Sequence, residues 1–211
     1  MQKLMSRMRA AMQKYDMISD GDRIAVGISG GKDSVVLLSA LCEMQRFYPK
    51  KYEIFALTLD PRFGNIDTDY SEITNLCASY GVQHRIRRTE LARIIFEVRN
   101  ETNPCSLCAR MRRGILHDEA KAIGCNKLAL GHHMDDAAET FMMNLLVGGN
   151  IDCFAPVTYL SRKDLYMIRP MVLAREGLIT AVVTQKNLPI IKNLCPMDNN
   201  SERKRMKELI D

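Results

Sequence analysis

The sequence predicts an α/β protein built on a doubly wound, mainly parallel sheet with helices on both faces. Short apolar runs alternate with helix-length amphipathic stretches along the whole chain. A glycine-rich turn follows the first apolar run and opens a helix, the arrangement in which open sheets bind ligands. No repeat, Pro-rich linker or low-complexity tract divides the 211 residues, so 1–211 reads as one domain.

Residues 3–17 read as the first helix, with Leu4, Met8, Ala11 and Met12 on one side and Lys3, Arg7, Arg9 and Lys14 on the other. RIAVGI (23–28) is a mostly apolar run between Gly-Asp and Ser-Gly-Gly, a buried strand. From 33 to 45 Val35, Leu38, Leu41 and Cys42 recur at helical spacing, and 53–59 (EIFALTL) is the second strand. A helix over 70–80 stops at Gly81, and 82–87 is the third strand. Residues 106–123 form the longest helix, ending at Gly124, and KLAL (127–130) is the fourth strand. A helix over 136–147 is ended by Gly148-Gly149, a strand over 166–169 precedes Pro170, and helices over 175–186 and 201–210 complete the chain. Strands alternating with helices of this length imply right-handed crossovers and a parallel sheet. Ligands then bind beyond the carboxyl ends of strands, which singles out the turns after Ile28, Leu59 and Leu130.

A hydrophobic fraction of 46% and a charged fraction of 26% exclude disorder, collagen and coiled coil. No apolar run approaches the roughly 20 residues of a membrane span, and the first residues carry no secretory signal. The net charge of +5 permits a polyanionic partner without announcing one. Seven cysteines, an odd count without a signal, argue against a disulfide framework. They point to a reducing, cytoplasmic setting with thiols available for metal or chemistry.

The turn after the first strand reads Ser29-Gly30-Gly31-Lys32-Asp33-Ser34. Two adjacent glycines let several N–H groups converge, and the following helix adds its positive end. Lys32 adds a full charge and the serines add hydroxyls, which makes a phosphate cradle. It is not a Walker loop, because Val26 occupies the required first glycine and Asp33 replaces the hydroxyl residue after Lys32.

This turn resembles the PP-loop, SGGxDS, of the N-type ATP pyrophosphatases. That resemblance implies the adenine nucleotide alpha hydrolase-like, Rossmann-like PP-loop fold, with ATP as cosubstrate cleaved between its α and β phosphates. Ser29, Gly30, Gly31, Lys32, Asp33 and Ser34 would cradle pyrophosphate, with Asp33 beside a Mg²⁺ that keeps most of its waters.

Cys105-Ser106-Leu107-Cys108 is a C-x-x-C at a predicted helix start, where the helix terminus favours thiolate. Arg112, one helical turn after Cys108, can reach a thiolate-bound ligand or a phosphate, with Arg110 and Arg113 beside it. A thioredoxin-like pair belongs after the first strand, a place the phosphate loop holds. Structural zinc needs four ligands, and no second C-x-x-C is present. Cys195 is the best distant partner, and three thiolates with an open position suit an iron–sulfur cluster better than closed zinc. Zinc and unligated thiols remain alternatives. Cys42 and Cys77 fall on apolar helix faces and read as core, while Cys125 and Cys153 receive no role.

Gly131-His132-His133-Met134-Asp135-Asp136 follows the fourth strand. The acidic pair reads as nucleotide or Mg²⁺ contacts, or as an N-cap by Asp135 or Asp136. His84 and His117 read as solvated or capping residues. Arg85, Arg87, Arg88 and Arg93 form a basic stretch that could draw RNA phosphates.

In order along the chain, GDRI (21–24), the PP-loop, NPCSLCARMRRGIL (103–116), LALGHHMDDAAET (128–140), Gly148-Gly149, Ile168-Arg169-Pro170 and Pro189-Ile190-Ile191 resemble the tRNA 2-thiocytidine sulfurtransferase family. The likeness covers nearly the whole chain. It implies a [4Fe–4S] cluster on Cys105, Cys108 and Cys195, with Arg112, Asp135 and Asp136 facing nucleotide or Mg²⁺ and His132 lining the nucleotide site. It implies adenylation of a cytidine carbonyl oxygen followed by cluster-dependent sulfur transfer, with Lys32 stabilising phosphate charge. The implied partners are tRNA, a sulfur-donor protein or sulfide, and a second copy in a homodimer, without membrane. One position departs: Lys192 stands where the family commonly carries a second Cys, three residues before the last ligand. Adenylation of another tRNA base or a small molecule, and a zinc-stabilised nucleotide-binding module, are the competing readings.

Overall fold

The computed structural model describes residues 1–99, 104–192, 194–197 and 202–210. Asn103, the first residue of the NPCSLC string, and residue 201 of the expected last helix lie outside them. Among the described residues six strands form one sheet: β1 (Asp22–Ile28), β2 (Tyr52–Asp60), β3 (Gln83–Arg88), β4 (Lys127–Ala129), β5 (Val157–Leu160) and β6 (Leu165–Ile168). Their order is β3-β2-β1-β4-β6-β5, and every neighbouring pair is parallel except β5 with β6. The helices are α1 (Gln2–Lys14), α2 (Lys32–Met44), α3 (Ser71–Ser79), α4 (Leu91–Arg93), α5 (Pro104–Ala122), α6 (Met134–Leu146), α7 (Glu176–Lys186) and α8 (Glu202–Ile210).

The predicted doubly wound sheet is present, and besides a 3-10 turn at Phe63–Asn65 it carries two additions. The edge strand β5 joins β6 through a four-residue turn closed by Lys163 N–H donating to Leu160 O at 3.0 Å, with Asp164 at φ 46°. That hairpin carries no Asn-Gly or Asp-Gly signal. The second addition is α4 and the π-helical turn Ile94–Val98 that continues it.

Alternation along the strands divides the apolar residues between two faces. Ile24, Val26, Ile28, Ile54, Ala56 and Ala129 join the larger core with α1, α2, α3 and α7. Ala25, Leu57 and Leu128 join Ala120 of α5 and Cys125 on the other face. Leu4, Met8, Ala11 and Met12 are the buried side of α1, as the periodicity requires. Cys42, Cys77 and Cys125 are buried, and burial pushes their thiols up to about 12, 11 and 11, so they stay protonated.

The Gly-Asp-Arg-Ile string before the PP-loop resolves as a fastening of β1 to β4. Asp22 Oδ2 lies 2.8 Å from the Lys127 ammonium, and both side chains are buried. Asp22 also accepts from Ser19 N–H at 2.6 Å and from Asn126 Nδ2 at 2.7 Å, and Lys127 donates to Met17 O at 2.8 Å. This satisfies a buried ion pair on every side, the condition under which such a pair is tolerated.

The chain winds from β1 to β3 in one direction and returns to place β4 on the other side of β1. The carboxyl ends of β1 and β4 therefore flank a topological switch point, where such sheets bind ligands.

Candidate active site

Four segments meet at that switch point. The turn after β1 is closed by its own serines. Ser29 N–H donates to Ser34 Oγ at 3.1 Å, Gly31 N–H donates to Ser29 Oγ at 3.3 Å, and Ser34 Oγ donates to Gly31 O at 2.9 Å. Gly31 is the N-cap of α2, so the first-turn N–H groups of that helix have no intrahelical acceptor. Gly30 has φ +85°, a conformation that favours glycine.

The loop after β4 packs directly on this turn. A Cβ on Gly131 would meet the Asp33 carbonyl carbon at 3.0 Å and Ser34 N at 3.1 Å, so a side chain there would force the two loops apart. His133 caps α6: its Nδ1 accepts from Asp136 N–H at 3.3 Å, and Asp136 Oδ2 accepts from His133 N–H at 2.9 Å. The cap is thus His133 and not Asp135 or Asp136 as the spacing suggested. Asp136 instead closes the box from the third helical position. With Nδ1 accepting, the ring proton sits on Nε2, which lies 3.7 Å from Asp33 Oδ1 and 3.4 Å from Asp136 Oδ2. His132, the histidine expected at the nucleotide, packs its ring on Phe154 at 5.0 Å. Buried His133 makes the approach to Asp33, and two adjacent histidines gave no signal for which one would.

The third segment is the start of α7. Glu176 N–H donates to Asp135 Oδ2 at 2.7 Å, and Arg175 lies 3.5 Å from Asp135 Oδ1. The Glu176 carboxylate lies 2.9 Å from the Lys32 ammonium and 2.6 Å from that of Lys207 on α8. Lys207, against burial, holds the Glu176 pKa down at about 2, with Lys32 adding to the effect. Burial opposes the charge on Lys32, but Glu176 and Asp33 more than offset it and raise its pKa. Neither Glu176 nor Lys207 carries a motif, and only the folded chain brings them to the PP-loop.

The fourth segment runs through Ile191. Its N–H donates to Gly30 O at 3.0 Å, and a Cβ on Gly30 would meet Ile191 Cβ at 2.9 Å. Cys195 follows four residues later, within about 14 Å of this anchor even for extended chain. Cys105 and Cys108 stand in the first turns of α5, which begins with Pro104. Both thiols are pushed up, first by burial and also by Cys195, and Arg112 hydrogen-bonds Cys108 and pulls it part of the way back. The helix terminus therefore does not produce the lowered pKa expected from the sequence. The three thiols lie within electrostatic reach of one another, although no group of three His, Cys, Asp or Glu side chains closes to metal-binding distance among the described residues. Cys195 is close enough to push up both Cys105 and Cys108, and a cationic metal centre would relieve that repulsion at those two thiols. For Mg²⁺ the fitting group is Asp33, whose Oδ1 is shut off from solvent, accepts no hydrogen bond and lies 3.1 Å from the Lys32 ammonium.

Other expectations resolve away from the site. His84 is neither solvated nor capping. Its Nε2 lies 2.7 Å from Thr58 Oγ1 and its Nδ1 2.9 Å from Thr74 Oγ1, and burial lowers its pKa. His117 Nε2 is likewise buried, with no hydrogen-bond partner. Cys153 Sγ donates to Ala137 O at 3.4 Å. The arginine run is laced to carboxylates: Arg85 and Arg87 to Glu119, Arg88 to Asp67 and Arg93 to Glu90. Arg169 of the Ile-Arg-Pro string is buried, donates to Ala155 O at 2.5 Å and lies 4.8 Å over the Phe154 ring.

A doubly wound sheet with an SGGKDS turn at its switch point defines a PP-loop protein, and a description of the PP-loop domain family matches residues 2–211. The tRNA-cytidine(32) 2-sulfurtransferase of Syntrophotalea carbinolica is 40% identical over 203 residues, 95% of this chain and 78% of that protein. The protein of the same name from Geobacter sulfurreducens is 36% identical over 99% of this chain and 81% of its own length. Among solved structures, the U34-tRNA thiolase NcsA from Methanococcus maripaludis with its [4Fe–4S] cluster superposes with a TM-score of 0.81 at 25% identity, covering 99% of this chain and 71% of that one. An NH3-dependent NAD synthetase from Campylobacter jejuni shares the fold at a TM-score of 0.54 and 18% identity. The chain belongs to the PP-loop family and, within it, to the tRNA 2-thiocytidine sulfurtransferases.

Proposed function

We propose that this chain is an ATP-dependent tRNA sulfurtransferase that converts a cytidine, position 32 by the names of its relatives, to 2-thiocytidine. The observation that carries the reading is the docking of Ile191 on Gly30, which ties the segment bearing Cys195 to the phosphate loop. Cys195 lies only four residues past that anchor, which supports a reading in which the thiols serve the same edge of the sheet as the phosphate cradle.

ATP lies with its β and γ phosphates on Ser29–Ser34, where the free N–H groups of α2 and the Lys32 ammonium face them. Asp33 would hold Mg²⁺, which would neutralise phosphate charge when bound, and His133 lies 3.7 Å from the Asp33 carboxylate. The cytidine O2 attacks the α-phosphorus, the bond to the bridging oxygen breaks, and pyrophosphate leaves. The C2–O bond is now a bond to AMP, a good leaving group. Sulfur adds at C2, AMP departs with the oxygen, and the thiocarbonyl forms. Cys105, Cys108 and Cys195 would hold a [4Fe–4S] cluster, which supplies an open iron to carry the sulfur when bound. Arg112 stays beside Cys108 and faces the nucleotide, as do Asp135, Asp136 and His132.

A sulfur-donor protein or sulfide supplies the sulfur, and the enzyme works in the cytoplasm, where its thiols stay reduced. It is a single domain over 1–211 that pairs as a homodimer, for which the exposed Leu145 and Leu146 at the end of α6 and Val147 and Ile151 after it offer apolar surface. Among the described residues no helix is long and apolar enough to cross a membrane. The test is anaerobic purification followed by incubation with tRNA, Mg-ATP and sulfide. A brown protein that forms 2-thiocytidine, AMP and pyrophosphate supports the reading. A colourless protein holding one zinc and leaving tRNA unmodified contradicts it.

A further inference from the structure

The two ammonium groups that meet at Glu176 come from opposite ends of the chain. Lys32 belongs to the phosphate loop and reaches Oε1 at 2.9 Å, while Lys207 belongs to α8 and reaches Oε2 at 2.6 Å. The carboxylate thus stands between two lysines with one oxygen toward each. A phosphate group presents a similar pair of oxygens with more charge. All three side chains are part-exposed, so the cluster opens to solvent beside the cradle. Lys207 is held there by α8 itself, whose Met206 is buried while Leu209 and Ile210 remain exposed.

We propose that Lys207 is a second pyrophosphate-binding cation. It forms with Lys32 a two-lysine clamp in which the Glu176 carboxylate holds the place that a terminal phosphate takes when ATP binds. This deepens the reading of Ser29–Ser34 as a pyrophosphate cradle and rests on it. On ATP binding both ammonium groups turn from Glu176 to phosphate oxygens, and the released carboxylate faces solvent. The same exchange run backwards helps pyrophosphate leave, because Glu176 recaptures the lysines. The C-terminal helix thereby becomes part of the nucleotide site.

Isothermal titration of the full chain with magnesium pyrophosphate separates the outcomes, with thermal melting as the control for folding. K207M should bind pyrophosphate about tenfold more weakly, the loss of one charge-assisted contact, and K207R should bind as the wild type does. E176Q should bind it more tightly, about threefold, because an internal competitor and a like charge are gone. Wild-type affinity in a folded K207M, or weaker binding by E176Q, would overturn the clamp while leaving the cradle standing. Absence of pyrophosphate binding by the wild-type chain would instead remove the cradle reading, and the clamp with it.

Discussion

Gly131 and Asp33 touch backbone to backbone: a Cβ on Gly131 would stand 3.0 Å from the Asp33 carbonyl carbon and 3.1 Å from its oxygen. This contact locks the loop after β4 onto the first turn of α2 and sets the distance between His133 and the Asp33 carboxylate. A backbone neighbour cannot rotate away, so any side chain at 131 must move one loop or the other.

Gly131→Ala should therefore lower stability by about 1–3 kcal/mol, the range for forcing a methyl into a packed site. It should also raise the KM for ATP with a smaller effect on that for tRNA. Urea unfolding and steady-state kinetics check the two parts. An unchanged KM for ATP would mean that the loops adjust independently of the nucleotide.

Asp22→Ala should cost about 3–5 kcal/mol, because it leaves the Lys127 ammonium buried without its carboxylate. Asp22 lies at the start of β1, away from the carboxyl edge, so the loss should appear in the urea midpoint and not in the KM for ATP. The four-residue string containing it is part of the family resemblance, and this experiment separates fastening from chemistry.

Glu176 sets a pH dependence whose sign follows from its lowered pKa. Its carboxyl falls from an ordinary 4.5 to about 2 in the folded chain, through Lys207 and Lys32. The unfolded chain therefore binds the proton more readily, so the stabilisation is fully present above about pH 4.5. It is lost as the pH falls through that window toward 2. Glu176→Gln should melt below the wild type at pH 6, and the gap should narrow steadily on acidification. A gap independent of pH between 6 and 3 would contradict the ion-pair account.

Much of this architecture was legible in the pattern of residues. The buried side of α1 and the strand–turn–helix around Gly30 follow from spacing and from the chemistry each residue type supports. What escaped shares one physical cause: it depends on contacts between distant segments. The strand β5 is stable only as the antiparallel neighbour of β6, and four residues without a turn signal do not announce that. Glu176 and Lys207 acquire meaning only where α7 and α8 meet the phosphate loop. The approach of His133 to Asp33 depends on the packing of the loop after β4 on α2, and Arg85, Arg87 and Arg88 meet Glu119 and Asp67, which lie on other elements.

On the proposed reading the cysteines serve only the sulfur half-reaction. Cys105→Ala, Cys108→Ala and Cys195→Ala should each reduce thiolation to background while leaving pyrophosphate binding within about twofold of wild type, since the turn at Ser29–Ser34 is closed by its own serines. Pyrophosphate titration beside a thiolation assay checks both halves. Loss of pyrophosphate binding in all three variants would show that the thiols support the cradle and not the sulfur step.

The central claim is that this chain places sulfur on a tRNA cytidine at the expense of ATP. Mass spectrometry of nucleosides from digested tRNA, taken from a strain lacking the gene, tests it most directly. 2-Thiocytidine should be absent from that strain, return with the wild-type gene, and not return with the Cys195→Ala or Lys32→Ala variant. Wild-type levels of 2-thiocytidine in the deletion strain, or full restoration by Cys195→Ala, would contradict it.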